Sequence, residues 1–212
     1  MELIAANIEQ YISIFSSPLD PVLQELEQFT QVHHPQAHML SGQVQGKLLE
    51  FFSRMMRPSA ILEIGTFTGF SALCLAKGLA EGGVLHTIEC READAKTALG
   101  FFEKAGLQHQ IRLHQGFAAD IIPTLNQSWD LVFLDADKTG YIEYYELTLP
   151  MLKPGGWIIA DNVLFHGEVL QPVLKGKNAK AVQAFNEHVA QDDRVEQVIL
   201  SLRDGLTVIR KK

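Results

Sequence analysis

Four short segments, far apart in the chain, each end an apolar run on a residue able to bind something: LEIGTFTG at 62–69, TIEC at 87–90, FLDADK at 133–138 and ADN at 160–162. Open parallel α/β sheets collect their ligands at the carboxyl ends of their strands, so the four segments imply one site. It would combine a glycine turn, an acidic residue one strand later, and Asp135, Asp161 and Asn162 with Lys138 close by.

Gly65 and Gly69 bracket the turn after the first strand, where backbone must pass close to a ligand before a helix starts. A dinucleotide fingerprint needs G-x-G-x-x-G, and Phe67 and Phe70 occupy its second and third glycine positions. A pyrophosphate would meet side chains where it needs bare backbone. Glu63, two residues before Gly65, would repel phosphate but could bind an ammonium, directly or through water. Glu89 has the spacing of the acidic residue that hydrogen-bonds a ribose diol. An adenosine carrying an amino acid fits both carboxylates, which points to S-adenosylmethionine.

Asp135 follows WDLVFL, and Asp161 with Asn162 follow GGWIIA. Two carboxylates and an amide oxygen make half of an octahedral site for a hard cation, Mg²⁺ or a similar ion such as Mn²⁺ or Ca²⁺, leaving room for water and two substrate oxygens. Nothing in the set is soft enough to select zinc. Lys138, three residues after Asp135 in the turn before a helix, could reach a hydroxyl bound to that metal. Metal coordination and nearby positive charge both lower pKa values and make a phenolate plausible at neutral pH. Asp137 is ambiguous on sequence grounds.

The elements that must position these groups follow from periodicity. Residues 1–15 and 21–29 place apolar side chains at helical spacing, and Gln43 to Met56 reads as a third helix after the punctuated segment 33–43. From residue 60 the chain alternates: strand 60–64, helix 70–80, strand 84–89, helix 91–105, strand 110–114, short helix 118–125, strand 129–134, helix 140–152 and strand 156–160. Such alternation means parallel strands with helical crossovers. A helix at 178–190 then leads to VEQVILSL, Asp204-Gly205 and LTVIR, where Asp-Gly signals a tight hairpin and an antiparallel last strand. One domain over 1–212 is expected, with 1–57 as N-terminal helices and 58–212 as the sheet and its crossovers.

Composition narrows the function classes. A formal charge of −7 argues against a nonspecific grip on nucleic acid, which needs clustered Lys and Arg. Cys74 and Cys90 lack CxxC spacing and read as free thiols. The N-terminal residues lack a basic region before an apolar core, and no run of about 18 apolar residues occurs, so a cytoplasmic protein without membrane contact is expected.

The chain resembles the cation-dependent S-adenosylmethionine O-methyltransferases, the family of caffeoyl-coenzyme A and catechol O-methyltransferases. The likeness runs from the helix at 43–56 through LEIGTFTGFSALCLA, FLDADKTGYIEYYE, LKPGGWIIADNVLFHGEV and the closing DGLTVIRK. It implies a Rossmann-like class I methyltransferase fold, α/β, with a seven-stranded, mostly parallel sheet, an antiparallel last strand and extra N-terminal helices. It further implies a sulfonium cofactor held by Glu63, Gly65 and Ser71, its ribose by Glu89, its adenine near Gly116, Phe117 and Ala118, and Met39 and Ser41 lying over it. Asp135, Asp161 and Asn162 would ligate the cation, Asp135 also bordering the cofactor. Lys138 would be the general base, forming the catalytic pair with Asp135. Tyr141 matches an aromatic position near that site, but could equally pack its helix on the sheet.

The expected activity is methyl transfer to one hydroxyl of a small vicinal diphenol, by a homodimer, since the apolar faces of the first two helices cannot all be needed for the core of the sheet and would meet a second copy of the chain. The alternatives are a methyltransferase for another small hydroxylated metabolite and a non-catalytic nucleotide-binding or interaction module; loss of the acidic cluster would mark the latter, and the cluster is intact. His33, His34, His38 and His166 fall in segments that should edge the pocket, and read as loop histidines.

Overall fold

The computed structural model describes residues 5–212. Leu3 and Ile4, part of the first helical pattern, lie outside the described residues. The elements are α1 (Ala6–Phe15), α2 (Pro21–His33), α3 (Gly42–Met56), β1 (Ala60–Ile64), α4 (Phe70–Ala76), β2 (Val84–Glu89), α5 (Glu92–Lys104), β3 (Ile111–Gln115), α6 (Ala118–Ile121), β4 (Trp129–Leu134), α7 (Tyr141–Thr148), β5 (Leu152–Asp161), α8 (Lys177–Ala190), β6 (Val195–Leu200) and β7 (Leu206–Lys211). The sheet order is β3-β2-β1-β4-β5-β7-β6. The first five strands are parallel, and β7 runs antiparallel to both β5 and β6. Among the described residues no helix is long and apolar enough to cross a membrane.

Every residue of β1 is buried, as expected of a central strand covered on both faces. Alternate side chains therefore feed two cores. Leu62, Ile64, Val132 and Leu134 pack with Tyr141, Tyr145 and Phe185 of α7 and α8 on one face. Ile61, Leu131, Phe133 and Ile159 pack with Leu23, Leu26, Leu49, Phe70 and Phe102 of α2 to α5 on the other. The helix α2 starts cleanly because Asp20 accepts from Leu23 N at 3.0 Å and Pro21 takes the first turn, where its missing N–H costs nothing.

Some boundaries differ from the sequence expectation. Helix 70–80 stops at Ala76, because Gly78 is where α3 comes closest: a Cβ there would overlap the Ser53 backbone. Helix 140–152 ends at Thr148, and β5 begins at Leu152 rather than 156. The Pro154-Gly155-Gly156 stretch is carried within the strand by a register shift against β4 between Trp129 and Leu131. The hairpin exists but is not tight. Leu200 pairs with Leu206, so five residues bridge the strands, with positive φ at Arg203 and Gly205 instead of at Asp204 and Gly205.

Candidate active site

Strand order reverses between β1 and β4, and the crevice at their carboxyl ends opens into a cavity of about 670 Å³. Gly65 and Gly69 adopt φ of 97° and 96°. A Cβ on Gly65 would overlap the Asp135 carbonyl, and one on Gly69 would press on Phe102. The glycines are thus demanded by the protein's own backbone and core, where the sequence reading attributed them to the approach of a ligand. Between them Phe67, at φ 51°, turns its N–H to Glu89 Oε2 at 2.8 Å.

Met39, Ser41, Gly65, Ser71 and Glu89 line the cavity, as do Gly116, Phe117 and Ala118. Glu63 does not. It is fully buried, accepts from Thr87 Oγ1 at 2.5 Å, and keeps Oε1 without a hydrogen bond. Burial pushes its carboxyl up to about 8, with the charges of Asp135 and Glu89 adding to the rise and the Ser71 and Thr87 hydroxyls opposing it. Such a group favours a cation nearby, which would restore its charged form. Glu63 thus sits behind the residues that line the cavity, next to Ser71, where the sequence reading has it bind an ammonium directly or through water. Glu89 Oε1 accepts from Arg91 N at 2.9 Å and, at longer range, from Arg91 Nε and Cys90 Sγ, whereas Oε2 accepts from Phe67 N and retains a lone pair for a diol.

Asp135, Lys138, Asp161 and Asn162 line the same cavity. Asp161 is 4% exposed; its Oδ1 accepts from Asn162 N at 2.7 Å and its Oδ2 from Gln45 Nε2 at 2.5 Å. Burial, then the charge of Asp135, raise its carboxyl to about 7 against the pull of Lys138. Asn162 turns the chain off β5 at φ 58°, a conformation that asparagine tolerates better than most residues. A buried Asp161 carboxylate whose ionisation Asp135 opposes, with Asp135 itself and an amide beside it, is a donor set of hard oxygens that a divalent cation would relieve. Among the described residues no group of three or more His, Cys, Asp and Glu surrounds a common point, so a cation here would complete its shell with non-protein oxygens.

Lys138 Nζ is fixed by Asp135 Oδ1 at 3.1 Å and by the Tyr141 hydroxyl at 2.6 Å. Tyr141 fulfils both roles left open by the sequence: its ring packs on Phe185 at 5.3 Å in the core, while its hydroxyl donates to the Asp161 carbonyl at 2.9 Å. Asp137 is a cap, accepting from Gly140 N at 3.0 Å and from the Tyr144 hydroxyl at 2.6 Å. Of the histidines, His38 and His166 border the cavity. His34 Nε2 instead meets Asp94 at 3.0 Å, and His33 stays on its own helix with the Phe29 carbonyl.

Two residues at the site escaped the sequence reading. Gln45, 1% exposed, reaches Asp161 across 116 positions, and Arg203 lies on the cavity wall. A glutamine within an amphipathic helix reads as a solvent-facing residue. The available signal was its place four residues before the apolar Leu49, on the face that turned out to be buried.

A profile of the O-methyltransferase family matches residues 13–212. The chain is 34% identical over 211 residues to a probable caffeoyl-CoA O-methyltransferase 2 of Dictyostelium discoideum, covering 97% of this chain and 91% of that protein. It is 33% identical over 162 residues to a catechol O-methyltransferase of Niastella koreensis, covering 74% and 73% respectively. Among solved structures, the O-methyltransferase from Bacillus cereus in complex with SAH superposes with a TM-score of 0.87 at 31% identity over 97% of both chains. TomG from Streptomyces achromogenes in complex with SAM gives 0.88 at 31% identity, covering 97% of this chain and 96% of that one.

Proposed function

The chain belongs to the S-adenosylmethionine-dependent O-methyltransferases of the caffeoyl-CoA and catechol type, and from that premise we propose that it methylates one hydroxyl of a small vicinal diphenol with the help of a divalent cation, Mg²⁺ foremost. The observation that carries this reading is that one cavity is bordered both by Gly65, Ser71 and Glu89 and by Asp135, Lys138, Asp161 and Asn162.

Each residue then has a task. Glu89 accepts hydrogen bonds from the cofactor's ribose, Gly116 to Ala118 border its adenine, and Met39 and Ser41 cover it. Glu63, close to Ser71 and otherwise costly to ionise, favours the cationic amino-acid and sulfonium portion. Asp135, Asp161 and Asn162 hold the cation, and Gln45 and the Asn162 N–H keep the Asp161 carboxylate in one orientation. The chemistry that a bound divalent cation supplies is Lewis-acid activation of the diphenol. Lys138, held in place by Asp135 and Tyr141, takes the proton from the hydroxyl that attacks the methyl group. Enclosing both reactants in one cavity provides proximity, and no covalent enzyme intermediate is needed.

The test is methyl transfer from S-adenosylmethionine to a panel of catechols, with added Mg²⁺ and with excess EDTA. Mono-O-methylated products that depend on the cation are expected. Unchanged turnover in EDTA removes the cation from the mechanism. Transfer to monophenols as fast as to catechols removes the vicinal diphenol.

A further inference from the structure

Besides Arg91, which pairs with Glu89 and Asp94, two cations on the cavity wall have no task in the methyl-transfer chemistry: Arg203, in the loop between β6 and β7, and Lys177, the first residue of α8. Arg203 adopts φ 48°, a left-handed conformation that is strained for any residue with a Cβ. Strain of this kind persists only where the surroundings hold it, and it marks positions worth a functional question. The holding groups are visible. Arg203 Nη1 donates to the carbonyls of Leu40, at 2.8 Å, and Ser41, so the guanidinium is anchored at the cavity by neutral oxygens. Its Nε and Nη2 donors have no partner among the described residues.

Neither cation is neutralised. Among the described residues no carboxylate forms an ion pair with Arg203 or Lys177. Of the acids on the same wall, Asp137 is held by Gly140 and Tyr144, and Asp204 accepts at Oδ1 from His166 N at 2.5 Å while its buried Oδ2 makes no hydrogen bond and pairs with neither cation. Glu27 is near enough to feel the charge of Arg203 but does not pair with it. Lys177 is exposed at the rim, on a helix whose first turn carries no acidic residue and no side-chain cap, so the backbone adds to the positive potential there. The Asp135 and Asp161 carboxylates, by contrast, are committed to the expected cation.

We propose that Arg203 and Lys177 recognise an anionic group on the acceptor, so that the preferred acceptors are vicinal diphenols bearing a carboxylate rather than neutral or cationic ones. This rests on the reading of the cavity as a catechol methyltransferase site. A preorganised guanidinium with free donors suits a carboxylate, and a charge-assisted bond of this type is stronger than a neutral one.

The experiment compares kcat/KM for 3,4-dihydroxybenzoate, its methyl ester and dopamine, all with S-adenosylmethionine and Mg²⁺ at neutral pH. The acid should exceed the ester by about tenfold or more, with dopamine lowest. Added NaCl should narrow the gap, since the site is partly open to solvent. Lys177→Met should bring the acid toward the ester, through KM more than kcat, while the ester stays within about twofold of wild type; Arg203→Met should lower the acid more than the ester, and Arg203→Lys should recover part of the loss. Lys177→Met replaces an exposed side chain and leaves the fold intact, so the variant arm does not depend on Arg203 alone. Equal kcat/KM for acid and ester in the wild type overturns the proposal. An ester loss as large as the acid loss in Arg203→Met confines that residue to holding Leu40 and Ser41, and overturns its part. Methylation of none of the three, with cofactor binding seen by calorimetry, overturns the catechol reading and this proposal with it.

Discussion

At the scale of single residues the site depends on charged groups held in fixed positions. Lys138 is the clearest case, because Asp135 and Tyr141 hold its ammonium in place. Lys138→Met should lower kcat by about 10²-fold or more at neutral pH, the range of a general base, without weakening cofactor binding. A pH–rate profile separates two roles. Recovery of part of the loss at higher pH fits a base, and a deficit independent of pH fits a purely electrostatic one. Glu63 makes a prediction about stability. Its carboxyl titrates near 8 in the folded chain against 4.5 in the reference state, so folding takes up a proton over that interval. The stability it contributes is complete below pH 4.5 and is lost as pH rises through 8. Thermal melts of the cofactor-free protein should therefore show Glu63→Gln gaining on wild type as pH goes from 5 to 8.5. A constant difference across that range would show that Glu63 is not the group responsible.

At the scale of elements the informative one is α3. The sequence marks it as an amphipathic helix, yet its buried face includes Gln45, Glu50 and Ser53 beside Leu49. Each polar group is paired. Ser53 Oγ donates to the Leu75 carbonyl at 2.5 Å, Glu50 accepts from Lys47 and Arg54, and Gln45 reaches Asp161. The helix thus positions a carboxylate from a strand far away in sequence. Gln45→Leu keeps the volume roughly constant and leaves Asp161 Oδ2 buried without that donor, at a cost of about 1–3 kcal/mol. Lowered thermal stability and weaker Mg²⁺ or Mn²⁺ binding by calorimetry are expected, with S-adenosylmethionine affinity nearly unchanged. Equal loss of cofactor and cation affinity would mean that the substitution disturbs α3 as a whole.

At the scale of the molecule, the sequence expectation assigned the apolar faces of both first helices to a second copy of the chain. The structure divides them. Leu23 and Leu26 of α2 are 1% and 0% exposed in the core, whereas Tyr11, Ile14 and Phe15 of α1 are each more than 60% exposed. Phe51 and Met55 of α3 are exposed as well, and together these side chains are the surface on which a homodimer would form. Sedimentation of the wild type should report a dimer, and Tyr11→Glu with Phe15→Glu should shift it to monomer while the fold is kept. A wild-type monomer at tens of micromolar would remove the dimer.

What the sequence determined by itself is what local chemistry encodes. Strand and helix alternation dictated a parallel sheet, because apolar runs of five or six residues between amphipathic helices have no other way to bury both faces. The glycine spacing with Phe67 and Phe70 excluded a dinucleotide, and the residues ending β1, β2, β4 and β5 were bound to converge once the strands were parallel. Tertiary structure alone decided the rest. Gly65 is required by the Asp135 carbonyl, Glu63 lies off the cavity wall, Gln45 orients Asp161, and Arg203 crosses 163 positions to reach Leu40. The reason is the same in each case. Periodicity reports which way a side chain faces within its own element, but which group meets it there depends on how elements distant in the chain pack together.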